Sequence, residues 1–170
     1  MRPACPGVPR ILLTVLAALL SSGTAEAQDH PPFMLARLIA DGGRASLDGA
    51  SHGNTELGTD LLLSANEKQR YGLRLSSLDI ETSGRHQRYL CTGVVLEMVA
   101  FQWFRMEVGT VGFAGRGDLS GSNPFGLVSF LGYEKRLGRL NFSVGYDSKY
   151  IFAKPAVTIQ NLGIGVGAHF

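Results

Sequence analysis

Three polar side chains near the end of the chain, Tyr146, Ser148 and Gln160, form the pattern best suited to chemistry. Tyr146 and Ser148 are two residues apart, so a strand places them on one face. Gln160 follows on the next predicted strand, at a distance that brings it back to the same height. A serine hydroxyl becomes a nucleophile when an adjacent base takes its proton. These three residues are therefore the candidate site of the chain.

The neighbours of Ser148 are poor bases. A tyrosine hydroxyl stays protonated at neutral pH, and a glutamine amide carries no charge to orient or stabilise an imidazolium. His169 lies at the far end of the last predicted strand, and His52 and His86 lie in other predicted loops. The favoured interpretation of the three residues is structural. Tyr146 is an aromatic residue of the membrane interface, and Ser148 and Gln160 are polar residues at the membrane edge. A weak hydrolase and a lipid-binding surface without the chemistry are the alternatives.

These residues belong to a chain with eight segments in which apolar side chains recur at every second position, as they do in β-strands. One face is apolar and the other is polar or bare in most of them, as where Leu162 and Ile164 alternate with Gly163 and Gly165. The sixth segment is apolar on both faces, which leaves its register open. The pattern predicts an all-β fold, an eight-stranded antiparallel transmembrane β-barrel of the bacterial outer membrane. The segments are Pro32–Ala40, Thr55–Asn66, Arg70–Ile80, Arg88–Val99, Trp103–Phe113, Phe125–Glu134, Arg139–Tyr150 and Ala156–Phe170.

Charged residues fall on the less apolar face of these segments. A mid-membrane arginine facing lipid would cost about 2–4 kcal/mol, whereas charges inside a narrow barrel can pair across the interior. We therefore expect structural ion pairs there rather than an ion pathway. The residues are Glu56, Asp60, Arg74, Glu97, Arg105 and Glu107. A second set is expected to be solvated at the outer edge, with contacts to outer-leaflet phosphates as the alternative; it comprises Lys149, Lys154, Arg85 and Arg88.

The N-terminus has the features of an export signal. Arg2 and Arg10 flank the start of an apolar run from Ile11 to Leu20, and an Ala-x-Ala site ends at Ala27. This predicts a secretory signal peptide over residues 1–27 and a barrel domain over 28–170. The net charge of +2 argues against a nucleic-acid partner, which would require a basic patch. No cofactor and no metal is expected.

The predicted connections alternate between long and short. The long ones are Asp41–Asn54, Glu81–Gln87 and Ala114–Pro124, and all of them lie outside the cell if the N-terminus is periplasmic. The terminal Phe170 resembles the assembly signal of outer-membrane barrels. The barrel assembly machinery is therefore a predicted partner.

The last thirty or so residues resemble the lipid A 3-O-deacylases of the PagL type and, more loosely, the acyloxyacyl hydrolases. The family motif is His-x-Ser-Asn on the seventh strand, followed about a dozen residues later by Glu. Here Ser148 matches the serine, while Tyr146, Lys149 and Gln160 occupy the His, Asn and Glu positions. The resemblance implies a serine esterase site on the lipid-facing surface. It also implies outer-membrane lipids or lipopolysaccharide as partners.

The favoured function is a small structural or lipopolysaccharide-interacting barrel without the standard catalytic triad. The first alternative is a lipid A deacylase with Ser148 as nucleophile. The second is an adhesion protein acting through the loops Asp41–Asn54 and Ala114–Pro124. A diffusion porin is the weakest option, because eight strands leave no wide channel. A soluble lipocalin-like barrel would instead turn its apolar face inward.

Overall fold

A computed structural model describes residues 33–47, 49–66, 68–82, 85–101, 103–115, 124–153 and 156–170. The predicted signal peptide lies outside these residues. Within them, no helix has the length and apolar character needed to cross a membrane.

Eight strands form a closed antiparallel barrel in which each strand pairs with its neighbours in chain order and the last pairs with the first. This confirms the predicted fold class. The strands are β1 (Met34–Leu47), β2 (Ala50–Ser64), β3 (Gln69–Thr82), β4 (Arg85–Ala100), β5 (Phe104–Gly115), β6 (Phe125–Leu137), β7 (Leu140–Ile151) and β8 (Val157–His169).

The strands are strongly staggered. Following paired residues once around the barrel from Ala36 returns to β1 at Ser46, ten residues further along. For eight strands this stagger corresponds to a tilt of about 40°. A row of paired residues therefore climbs by about 3 Å at each step to the next strand. It climbs away from the lower end, which carries Met34 and Phe170, toward the opposite, upper end.

β5 ends at Gly115 and β6 begins at Phe125, both at the upper end, so the longest stretch between two consecutive strands joins them there. Long connections mark the extracellular end in outer-membrane barrels. The outer surface between the two ends is apolar, with Leu73, Val108 and Ile164 each about 60% exposed. Aromatic side chains lie at two levels roughly 25 Å apart, the height of the apolar band of such barrels. The lower level includes Trp103 and Tyr133, and the upper level includes Phe125, Tyr150 and Phe152.

Side chains fill the barrel interior at two levels. Arg37 lies at the centre of the lower level, where its guanidinium is 2.7 Å from both Asp60 and Glu97 and 3.3 Å from Glu107. Arg74 adds a contact of 2.7 Å to Asp60. All six charges expected in the interior are buried there, which confirms their predicted placement and pairing. The upper level is an apolar core that includes Leu47, Leu78, Ile80, Tyr89, Phe113, Ile151 and Ile159.

For two of the long loops, the prediction from sequence is wrong because most of their residues form strands. β1 continues to Leu47 and β2 starts at Ala50, so most of Asp41–Asn54 is strand; most of Glu81–Gln87 is strand as well. The extensions persist because their inward side chains, such as Leu47, belong to the upper apolar core. Gly49 has a φ of +76° in the first hairpin turn, a conformation that glycine adopts at little cost.

The sixth strand has a definite register. Val128 and Phe130 face inward, whereas Ser129 faces outward. The Phe130 ring lies over Gly145, where an added Cβ would be 2.6 Å from the ring. The Arg105 guanidinium lies over the same ring, 4.1 Å from its centroid. Both faces of β6 are apolar because its inward face packs in the interior and its outward face meets the membrane.

Candidate functional site

The structure brings the three sequence-predicted site residues together on the outer surface. Ser148 on β7 is directly opposite Gln160 on β8, and Tyr146 is opposite Leu162. Gln160 and Tyr146 are exposed and Ser148 is partly exposed. The two strands form one hairpin, so a strand period of two is sufficient to place these side chains on one face.

Two further residues extend this group, and neither was among the sequence-predicted site residues. Ser129 on β6 is directly opposite Ser148, and Arg44 on β1 is directly opposite Gln160. Both side chains are exposed. Ser129, Ser148, Gln160 and Arg44 thus form one continuous row across four strands, which we call the polar row.

Ser129 and Arg44 escaped prediction for different reasons. The apolar pattern on both faces of the sixth segment concealed which way Ser129 points. Arg44 lies in a stretch whose glycines favour a loop in the sequence, although the stretch is strand in the structure. The alternation of side-chain directions along β1 is a signal that could have identified Arg44. Arg44 is an even number of residues after Ala36 and therefore shares its outward face.

The polar row is inclined across the upper part of the apolar band. Ser129 is lowest and Arg44 is about 9 Å higher, after three steps between strands. Tyr150, in the upper aromatic level, is about 5 Å above Ser148 along β7. Ser148 therefore lies about 5 Å and Ser129 about 8 Å below the level of Tyr150, inside the apolar band, and Arg44 lies at the upper edge of the band.

Among the residues that the structure describes, the surroundings of Ser148 contain no ordinary catalytic base. Its outward neighbours are Ser129 and Gln160 across the ladders and Tyr146 and Tyr150 along β7. Hydroxyls and an amide can donate and accept hydrogen bonds but do not take the serine proton at neutral pH. The described group is suited to binding the ester, amide or hydroxyl groups of a lipid.

Lys149 corrects a prediction about this region. It was expected at the solvated outer edge, but its side chain is fully buried inside the barrel. Its ammonium group is 2.8 Å from Glu56 and also contacts Asp147. The reason is that side chains alternate between the two faces of a strand. Lys149 is two residues after the inward-facing Asp147 and therefore faces inward as well. Lys149 therefore does not lie beside Ser148 on the outer surface.

Three other cations were predicted to be solvated at the outer edge together with Lys149. Arg85 and Arg88 are exposed at the upper end of β4, as predicted, and Arg88 is 3.3 Å from Asp79. Lys154 lies outside the described residues.

The buried charges around Lys149 form an interior cluster that adjoins the lower level through Arg74, 3.9 Å from Asp147. Carboxylate oxygens of Asp41, Glu56 and Asp147 lie within 4.8 Å of one another. The Ser76 hydroxyl donates a hydrogen bond of 2.5 Å to Glu56. The Lys149 ammonium group contacts two of the three carboxylates and is the main cation of this cluster.

Comparisons with known proteins identify the fold but no family. No protein-family model matches the chain, and no curated protein does. The crystal structure of Neisserial surface protein A (NspA) is similar, with a TM-score of 0.60 and 16% sequence identity over 81% of this chain and 97% of that chain. A de novo designed transmembrane β-barrel has a TM-score of 0.47 and 12% identity over 84% of this chain and all of that one.

The likeness to NspA, together with the barrel's apolar outer surface, shows a small eight-stranded transmembrane barrel of the outer-membrane type. It does not bear on the resemblance to the lipid A deacylases, which concerns individual residues of the last two strands.

Proposed function

We propose that this protein is a non-hydrolytic barrel of the outer membrane that binds phosphate-bearing lipid of the outer leaflet, of the lipopolysaccharide type, along the polar row. The order of groups along the row carries the proposal. Arg44 is at the upper edge of the apolar band, nearest the lipid phosphates, and Gln160, Ser148 and Ser129 are progressively lower.

That order matches the build of an acylated phospholipid or phosphorylated glycolipid. Phosphate is outermost, ester or amide linkages come next, and hydrocarbon chains are deepest. The positions below the row are suited to those chains: Tyr146, Leu162 and Leu131 are large exposed apolar or aromatic side chains. Arginine is also the side chain that binds phosphate in a bidentate manner.

Binding can be tested by retention of lipopolysaccharide on the purified protein. We expect Arg44→Gln to reduce the affinity about tenfold or more, because a charge-assisted hydrogen bond to phosphate contributes about 1.5–3 kcal/mol. Arg88→Gln is the matched control, since it removes the same charge from an exposed site at the upper end of another strand. Equal affinities of the two variants and the wild-type protein would refute the proposed binding site.

A lipid A deacylase remains the second candidate, and the placement of Ser148 beside Gln160 favours it. These residues occupy the Ser and Glu positions of the family motif and lie together on the lipid-facing surface. Hydrolysis there would need a base other than imidazole. A deacylated lipid A that requires Ser148 would support this candidate, and it would do so whether or not Arg44→Gln changes binding.

Adhesion through the outer loops is the weaker proposal. The first of its two predicted loops, Asp41–Asn54, is mostly part of the β1–β2 hairpin. Most of the second loop, Ala114–Pro124, lies outside the described residues.

A further inference from the structure

The lower end of the barrel has a charge pattern that the polar row does not explain. Its exposed charged side chains are all cationic among the residues described there, namely Lys68, Lys135, Arg136 and Arg139. The carboxylates of Glu97 and Glu134 at this end are buried in ion pairs. The upper end differs, because acidic Asp79 contacts His86 and Arg88 there.

The cations are concentrated in the turn between β6 and β7. Lys135 and Arg136 precede the turn and Arg139 follows it. Gly138, with a φ of +60°, allows the tight turn, and its carbonyl oxygen accepts a hydrogen bond of 2.9 Å from Arg136 Nε. Three cationic side chains therefore leave the barrel within five residues of one another.

An aromatic cluster lies beside this turn. The Trp103 carbonyl accepts a hydrogen bond of 2.7 Å from the backbone of Glu134, the residue before Lys135. The rings of Trp103 and Tyr133 stack with centroids 6.1 Å apart, and Phe101 lies 6.3 Å from Trp103. Trp103 and Tyr133 are about half exposed. Tryptophan and tyrosine prefer the level of lipid headgroups, so Lys135 leaves the barrel at the membrane interface.

From this juxtaposition we infer that the basic β6–β7 turn and the adjacent Trp103–Tyr133 pair bind the headgroup of an anionic phospholipid in the leaflet at the lower end. Lys135 and Arg136 bind the phosphate by charge and hydrogen bonding, and the rings pack against the glycerol and upper acyl carbons. The headgroup phosphate and the basic turn are complementary in charge. This site is at the opposite end of the barrel from Arg44 and is independent of the function proposed above.

Competition between two lipids tests the inference. The purified barrel in detergent is mixed with equal amounts of phosphatidylglycerol and phosphatidylcholine with identical chains, and bound lipids are counted by native mass spectrometry. We expect the wild-type protein to retain phosphatidylglycerol preferentially. The preference should fall about fivefold for each cation removed, first in Lys135→Gln and then in Lys135→Gln/Arg136→Gln.

Arg85→Gln/Arg88→Gln is the control, because it removes two exposed positive charges from the upper end. It should keep the wild-type preference. The inference is overturned if the wild-type protein binds both lipids equally, or if the Lys135 and Arg136 variants behave like the control. The single Lys135→Gln variant leaves the hydrogen bond from Arg136 to Gly138 in place, so it tests the site even if the double variant does not fold.

Discussion

Neighbouring residues of β7 lie in opposite environments, and this determines what each can do. Ser148 faces the membrane edge, whereas Lys149 is buried with Glu56 and Asp147. The adjacency of Ser148 and Gln160 could be predicted from sequence, because one hairpin and a period of two are enough to produce it. The burial of Lys149 follows from the same period, but its position near the end of β7 suggested a solvated cation at the outer edge.

At the residue scale, Lys149→Met should destabilise the barrel strongly. The substitution keeps the side-chain length but leaves Glu56 buried without its ion-pair partner and Asp147 with only the 3.9 Å contact to Arg74. Breaking a buried ion pair in this way costs about 3–5 kcal/mol. Urea unfolding of the protein in lipid or detergent measures the change.

Lys68→Met is the matched control for that prediction, because Lys68 is exposed and lies outside the proposed lipid sites. The same substitution at this exposed position should change the free energy of unfolding by no more than about 0.5 kcal/mol. Equal effects at the two positions would show that Lys149 does not stabilise the interior cluster.

The strands were the most predictable elements. Seven segments showed one apolar face, and membrane and interior faces follow directly from that pattern. The register of β6 could not be read from sequence because Phe130 is apolar yet faces inward, where it packs against glycine and arginine. The upper parts of β1 and β2 were missed because the sequence pattern was recognised from the apolar residues that face lipid. These parts of the strands extend above the membrane, where the outward residues are no longer apolar, but their inward side chains still pack in the upper core.

At the element scale, Gly145→Ala should destabilise the β6–β7 pairing. The new Cβ would lie 2.4 Å from the Leu131 carbonyl oxygen and 2.6 Å from the Phe130 ring. Overpacking of this kind costs about 1–3 kcal/mol. The midpoint of thermal unfolding, followed by circular dichroism, should fall accordingly.

Gly53→Ala provides the comparison on another strand, since an added Cβ there meets no atom within 4 Å. It should leave the unfolding midpoint nearly unchanged. A Gly145→Ala protein as stable as Gly53→Ala would contradict the described packing of Phe130.

The whole molecule combines a filled interior with a lipid-facing exterior. Ion pairs around Arg37 fill the lower level, and the apolar core that includes Tyr89 and Phe113 fills the upper level. Functional features are therefore expected on the outer surface and at the rims rather than along a pore. A sequence can predict this arrangement in outline because eight strands limit the interior width. It cannot supply the inclination of the polar row, which depends on the stagger of all eight strands.

At the scale of the whole molecule, we expect the wild-type barrel to give no porin-like conductance steps after insertion into a planar lipid bilayer. The filled interior leaves no wide aqueous path. A porin measured in the same bilayer serves as the positive control. Regular conductance steps from this protein would show that its interior opens.

The central claim is that the barrel keeps a lipid-binding surface around Ser148 without hydrolysing the lipid. Mass spectrometry of lipid A from a Gram-negative host that expresses the protein, compared with an empty-vector host and a Ser148→Ala host, tests it most directly. With the protein shown to be folded in the outer membrane, we expect identical acyl chains in all three samples. Loss of one acyl chain in the wild-type sample alone would contradict the claim and identify Ser148 as a catalytic nucleophile.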